Sequence, residues 1–233
     1  MIKFVKEIFL INMLSVLLVF LSVKVWAWDY GAGIGVSTLG ITGNIEKKLT
    51  SRLVLRGGYH YFTYTWDGTE DDVKYNIDLK LNSGLIVLDL HPFKGAFRIS
   101  AGILINGNRI DADASLDPTE SYEIGDKEYT GAEIGSLEME VDFNTIAPYV
   151  GLGLGIGYKK GLSLMFDLGM VFQGSPDISL KVNSPLAQST DPVDQAKWNQ
   201  LQQDINKEEK NLEDELNNFK YYPVVMLTII YRF

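Results

Sequence analysis

An all-β chain is predicted: an antiparallel up-and-down transmembrane β-barrel of eight strands, with an amphipathic helix in its last long connection. Three observations carry this. Apolar residues alternate with glycine and polar residues through runs of ~10 residues or more, the length of a tilted membrane strand and about twice that of a sandwich strand. Aromatic residues, 12% of the chain, collect towards the ends of those runs, as interfacial girdles require. Short turns alternate with long polar connections, the asymmetry of a barrel inserted from one side of a membrane.

Residues 1–27 read as a cleaved secretory signal peptide. Lys3 and Lys6 precede an apolar stretch from Ile8 to Val23, and Val25-Trp26-Ala27 matches the small-residue cleavage pattern. An uncleaved anchor is the alternative, because the stretch approaches the ~17 to 25 residues that cross a bilayer. The processing pattern and the glycine-rich sequence after it favour cleavage, leaving a barrel domain at 28–233. Losing Lys3, Lys6, Lys24 and Glu7 moves the formal charge from -9 to -11. That sign argues against a nucleic-acid partner, since phosphates are neutralised by clustered Lys and Arg. The chain has no cysteine, which excludes disulfides, thiolate metal sites and a cysteine nucleophile.

The strands follow in order. Residues 28–47 hold two short strands with a tight outer turn near Ser37 to Gly40. In 52–66, Leu53, Leu55, Tyr59 and Tyr61 share a face against Arg56, His60 and Tyr64. In 73–90, Ile77, Leu79 and Leu81 oppose Asp78, Lys80 and Asn82. In 96–113, Phe97, Ile99, Ala101, Ile103 and Ile105 oppose Arg98, Ser100, Gly102 and Asn106. The clearest alternation is in 143–158, where Ile146, Pro148, Val150, Leu152, Leu154, Ile156 and Tyr158 face away from Gly151, Gly153, Gly155 and Gly157. After the short turn Tyr158 to Gly161 the pattern resumes in 161–174, with Leu162, Leu164, Phe166, Leu168, Met170 and Phe172 against Ser163, Asp167, Gly169 and Gln173. Last, 219–233 sets Tyr221, Pro223, Val225, Leu227, Ile229, Tyr231 and Phe233 against Tyr222, Thr228 and Arg232.

A soluble sandwich would turn the apolar face inward and a membrane barrel turns it outward. Run length, the aromatic positions (Trp28, Tyr30, Tyr59, Tyr61, Tyr149, Tyr158, Phe172, Tyr221, Tyr231) and a glycine-rich opposite face favour the barrel. Its expected interior carries Arg56, His60, Asp78, Lys80, Arg98, Asp167 and Arg232. Buried charges must be paired, so Arg98 or Lys80 is expected on Asp78, and Arg232 on Asp167. An eight-stranded barrel is just wide enough for side chains to fill, which favours a salt-bridged plug over a narrow gated ion path.

The chain resembles the small outer-membrane β-barrel proteins of Gram-negative bacteria, of the OmpA-like and OmpX-like eight-stranded kind, across 28–233. The most specific element is the ending: Phe233, with Tyr231, Ile229, Leu227 and Val225 at alternating positions, is similar to the signal read by the barrel-assembly machinery. The resemblance implies residence in the outer membrane of a Gram-negative bacterium, with outer-membrane lipid, lipopolysaccharide and that machinery as partners. Nothing resembles the peptidoglycan-binding domain that some of these proteins carry. A monomer is expected.

The long connections are acidic. Trp66 to Lys74 has Asp67, Glu70, Asp71 and Asp72, and Asp111 to Asp142 carries many acids against Lys127 alone. Asp111-x-Asp113-x-Ser115-x-Asp117 suggests a calcium loop, but Leu116 stands where glycine is required and Tyr122 where the bidentate Glu belongs; a solvated acidic loop is expected, with no metal and no cofactor. In Ser175 to Lys220, Asp191 and Pro192 mark a helix start, and Trp198, Leu201, Ile205, Leu212, Leu216 and Phe219 recur at helical spacing through 192–219. That helix could lid the barrel, lie on the membrane or meet a partner. A lipid A-modifying enzyme needs a nucleophile and a base. Only His60 and His91 are available as bases, no sequence-local triad accompanies them, and no catalytic residues are assigned. The expected role is therefore structural or in surface interaction through acidic loops, with a narrow channel as the alternative and a lipid-acting enzyme third.

Overall fold

The computed structural model describes residues 29–70, 73–156 and 160–233; the expected signal peptide 1–27, with Trp28, Asp71, Asp72 and Tyr158, lies outside the described residues. Among the described residues there are thirteen strands. In chain order they are β1 (Tyr30–Ser37), β2 (Gly40–Lys48), β3 (Leu53–Glu70), β4 (Val73–Leu90), β5 (Arg98–Asn106), β6 (Arg109–Ser115), β7 (Ser121–Ile124), β8 (Lys127–Thr130), β9 (Ser136–Asp142), β10 (Ile146–Ile156), β11 (Gly161–Phe172), β12 (Asp177–Asn183) and β13 (Tyr221–Arg232). The helices are α1 (Gly131–Ile134) and α2 (Pro192–Glu215), the latter continuing as a 3-10 turn over Leu216–Lys220.

The antiparallel pairings run β1, β2, β3, β4, β5, β10, β11, β13 and back to β1. The ladder closes on itself, which removes the unpaired edges of an open sheet. At the seam Ile34 faces Ile229, and the Phe233 N–H donates to the Tyr30 carbonyl at 3.0 Å. Alternation sorts the side chains. Ile34, Ile45, Ile86, Leu152, Leu168 and Ile229 are exposed on the outside, while Arg56, Arg98, Asp167 and Thr228 are buried inside. An exposed belt of that composition around a closed ladder is what a lipid environment requires. Both termini of the barrel and the β2–β3 and β4–β5 turns lie at one end, the turn end; the long connections and the tight β1–β2 turn lie at the other, the loop end. Gly40, at φ +110, closes the tight β1–β2 turn there, in a backbone region that L side chains avoid.

At the loop end part of the sheet continues past the barrel. The β2 ladder stops at Tyr61, but β3 and β4 stay paired to Glu70 and Val73. The outer half of β4 then pairs with β6, β6 with β9, and β9 with β12. Registers place Leu79, Ile110, Val141 and Ile178 in one row across these strands, and Asp78, Asp111, Glu140 and Ser179 in the next. The projecting sheet is thus apolar on one face and acidic on the other.

Helix α2 covers the β9–β12 half of the apolar face. Asp191 caps it by accepting from the Val193 N–H at 2.7 Å, with Pro192 in the first turn. Its Leu201 and Ile205 are buried with Ile124 and Tyr129 of the β7–β8 hairpin and Ile134 of α1, and Trp198, Leu137, Leu180 and Val182 pack around them. The apolar stripe of the helix is therefore occupied by this loop cap. Its Glu209 accepts from the Leu180 N–H at 2.7 Å and its Glu213 from the Ile178 N–H at 3.5 Å, so carboxylates cover the outer edge of β12.

Several expectations need correction. The strand expected at 96–113 breaks at Gly107 and Asn108 into β5 in the barrel and β6 in the cap. The expected acidic loop 111–142 contains β6 to β9, and Asp111, Asp113 and Ser115 of the calcium-like pattern lie on one face of strand β6. The connection 175–220 holds β12 as well as the helix. Tyr149, assigned to a girdle, is buried in the lumen.

Candidate functional site in the barrel lumen

The ion pairs of the lumen are built around glycines. On β10, Gly153 faces Arg98 of β5 on one side and Asp167 of β11 on the other. A Cβ at Gly153 would strike the Arg98 guanidinium. With only hydrogen there, Arg98 reaches across β10 to Asp167, Nη2 to Oδ1 at 2.6 Å. Tyr149 uses the same device, its phenol lying over Gly151 and Gly169. Gly31 likewise stands between Arg232 and Glu46, which are joined by an ion pair.

The Arg98–Asp167 pair belongs to a larger network. Arg56 Nε donates to Asp89 Oδ2 at 2.8 Å, and its Nη2 to Asp89 Oδ1 at 3.1 Å and Asp167 Oδ1 at 3.3 Å. Ser100 Oγ donates to Asp89 Oδ1 at 2.5 Å. Arg56, Asp89, Arg98 and Asp167 are all at 2% exposure or less. At such burial the desolvation cost of each charge is offset only by paired geometry. The bidentate Arg56 contact and the shared Asp167 oxygen supply it.

Beside the network lies an apolar layer that sequence reasoning missed. Leu39, Leu85, Val87, Leu104, Tyr149, Val171, Val224 and Met226 form a buried cluster inside the barrel. The interior expected to be filled by polar and charged groups also holds a packed hydrocarbon layer. The signal is hidden because Leu85 to Leu88 and Val224 to Leu227 are unbroken apolar runs, in which the inward and outward residues look alike.

Of the seven expected interior residues, Arg56, His60, Arg98 and Asp167 are buried in the lumen and Arg232 lies partly buried at its turn end. Asp78 and Lys80 are not in the lumen. In the barrel part of β4 the odd residues Leu81, Ser83, Leu85, Val87 and Asp89 face inward, and Asp78 and Lys80 sit beyond it on the polar face of the cap. There Lys80 Nζ donates to Asp111 at 2.6 Å and lies 3.8 Å from Asp78, and the Asp111 contact raises the Lys80 pKa. The expected partners of Arg98 and Arg232 are replaced: Asp167 serves Arg98, and Glu46 serves Arg232. Asp89 and Glu46 were missed. Asp89, a lone acid between Leu88 and Leu90, was the available signal.

His60 is fully buried, with Nδ1 3.2 Å from Ser37 Oγ. That hydroxyl also donates to the Gly40 carbonyl at 3.0 Å and accepts from the Leu39 N–H at 3.1 Å, so it braces the β1–β2 turn. The His60 Nε2, Thr42 Oγ1, Asn44 Nδ2, Ser83 Oγ and Thr228 Oγ1 atoms are buried without a hydrogen-bond partner among the described residues. Thr42, His60 and Ser83 are cross-strand neighbours in one row of the wall.

The cap has its own electrostatics. Tyr129 OH donates to Asp204 at 2.5 Å, and burial, with that carboxylate, pushes the phenol pKa up. Lys197 Nζ donates to Glu133 at 2.5 Å, which, with the Thr130 N–H, holds the Glu133 carboxyl below the ordinary range.

No protein-family profile matches the chain, and no curated protein does. Solved structures do. CarO2 of Acinetobacter baumannii aligns over 88% of this chain and 98% of its own, at 19% identity and a TM-score of 0.57. CarO of the same organism aligns over the same shares at 18% identity and 0.55. A major outer membrane protein of Thermus thermophilus, aligned over those shares too, reaches only 0.32 at 14% identity. The chain shares its fold with the CarO proteins. With the apolar belt, that makes it a β-barrel of the outer-membrane type.

Proposed function

We propose that this chain is an eight-stranded, plugged barrel in the outer membrane of a Gram-negative bacterium, with a structural or surface-interaction role exerted through its acidic loop cap. The observation that carries the reading is the packed lumen: Leu85, Leu104, Tyr149 and Met226, at 2% exposure or less, fill the bore beside the Arg56, Asp89, Arg98 and Asp167 network. The strand count rests on the ring of pairings from β1 to β13. The outward Leu227, Ile229 and Tyr231, with Phe233, serve as the signal for the barrel-assembly machinery; outer-membrane lipid and lipopolysaccharide surround a monomer. The role is non-enzymatic, with no cofactor or metal.

Planar-bilayer recording tests this. The intact protein is expected to give no steady unit conductance, and a reproducible one that persists after deletion of 175–220 would overturn the plug. A narrow water or ion path is the second reading, favoured by the unpartnered polar row of Thr42, His60 and Ser83. Among the described residues, the Ser37–His60 contact is the feature that supports a lipid-acting enzyme. Lipid A mass spectra are expected to be the same with and without the protein; an acyl-chain difference abolished by His60→Ala would establish an enzymatic role instead.

A further inference from the structure

The outward face of the barrel has a notch near the turn end. Gly57 of β3 lies between Ile45 of β2 and Ile86 of β4 in one outward row, so the belt there lacks one side chain. The resulting groove of about 600 Å³ is lined by Ala32, Ile45, Leu55, Ile86 and Phe233, with Lys47 at its rim. Its outward wall is hydrocarbon; of the charged residues that border it, Glu46 is paired with Arg232 and Arg56 with Asp89 on the lumen side, and Lys47 is the one on the outward face. Lys47 Nζ lies 5.3 Å from the Tyr30 ring centroid.

Charge at this end is mostly positive. Lys47, Lys48, Arg52, Lys94, Lys160 and Arg232 stand at the turn end against Asp29 and Glu46, whereas the acidic residues of the cap crowd the opposite end. An occupant of the groove must be apolar along its length and anionic where it reaches Lys47. We propose that the groove seats an acyl chain of an anionic phospholipid whose headgroup phosphate meets Lys47. Basic clusters at a membrane surface attract anionic headgroups by this means, and the groove adds register for the chain. The inference rests on the membrane-embedded reading above.

Native mass spectrometry of the detergent-purified full chain, offered phosphatidylglycerol or phosphatidylcholine of matched chain length, tests it. Phosphatidylglycerol is expected to be retained over phosphatidylcholine by about fivefold. Lys47→Glu should lose that preference. Gly57→Leu should lower retention of both lipids; a Cβ there meets only Ile45, at 3.8 Å, so the barrel accepts it. Gly84→Leu, whose Cβ meets only Ile105 at 3.9 Å elsewhere on the wall, should change neither. Equal retention of the two lipids by the unaltered protein, or retention indifferent to Gly57→Leu, would overturn the proposal. Heat-modifiable gel mobility of the same samples reports the barrel itself, and its absence in the unaltered protein would overturn the membrane reading instead.

Discussion

Arg98 meets Asp167 across an intervening strand because the residue between them is Gly153. Two charges two strands apart are within contact only where the wall between them is bare. Gly153→Val should therefore displace the Arg98 guanidinium, and Asp167→Asn should leave two buried arginines short of an anion, costing about 3–5 kcal/mol. Urea unfolding of the refolded barrel measures both. The pair Arg98→Met with Asp167→Leu is expected to cost less than Asp167→Asn alone, because no buried charge then lacks its partner.

Opening the apolar layer should open the bore. Leu85→Ala with Leu104→Ala removes two fully buried side chains facing the lumen. The double variant is expected to show unit conductance in planar bilayers where the unaltered protein shows none. Its folded gel mobility should persist.

The cap should unfold apart from the barrel. Leu201 is fully buried between α2 and the hairpin, and Leu201→Ala should cost about 2–5 kcal/mol of cap stability. Limited proteolysis would then cut within 175–220 sooner, with heat-modifiable mobility unchanged.

Acid should loosen the same cap. The Lys197 contact holds the Glu133 carboxyl below its ordinary range, so the folded form releases that proton more readily than the unfolded chain. Its stabilising contribution is complete above the ordinary carboxylate range and is lost as pH falls through the depressed folded value. Protection of the α1 amides against exchange, taken relative to the unfolded chain at the same pH, should fall below that range, and Glu133→Gln should flatten this dependence.

Much of the barrel is readable from alternation. β5, β10 and β11 each bury one parity and expose the other as the sequence suggests, because glycine or polar residues mark most of the inner face; β13 does so too, although only Tyr222, Thr228 and Arg232 mark its inner side. β4 misleads for the opposite reason. Its Ile77 to Lys80 half belongs to the cap, where the apolar face points the other way relative to lipid, and its Leu85 to Leu88 half carries no contrast at all. The cap strands β6 to β9 and β12, at four to seven residues, are too short and too acidic to register as strands. Helix α2 is visible from its cap and spacing, but its partners, contributed by 116–141 and 177–183, come from segments that look like loop. Within the lumen the arginines are evident, while their acids Asp89 and Glu46 are hidden in apolar or mixed surroundings.

Glu209 and Glu213 reach from α2 to the backbone N–H groups of β12, the last strand of the projecting sheet. Where copies of the protein lie side by side, a bare strand margin on each would let them stitch together into fibres. With that margin occupied by carboxylates of its own chain, the sheet has a built-in stop. Copies can crowd without polymerising through β12.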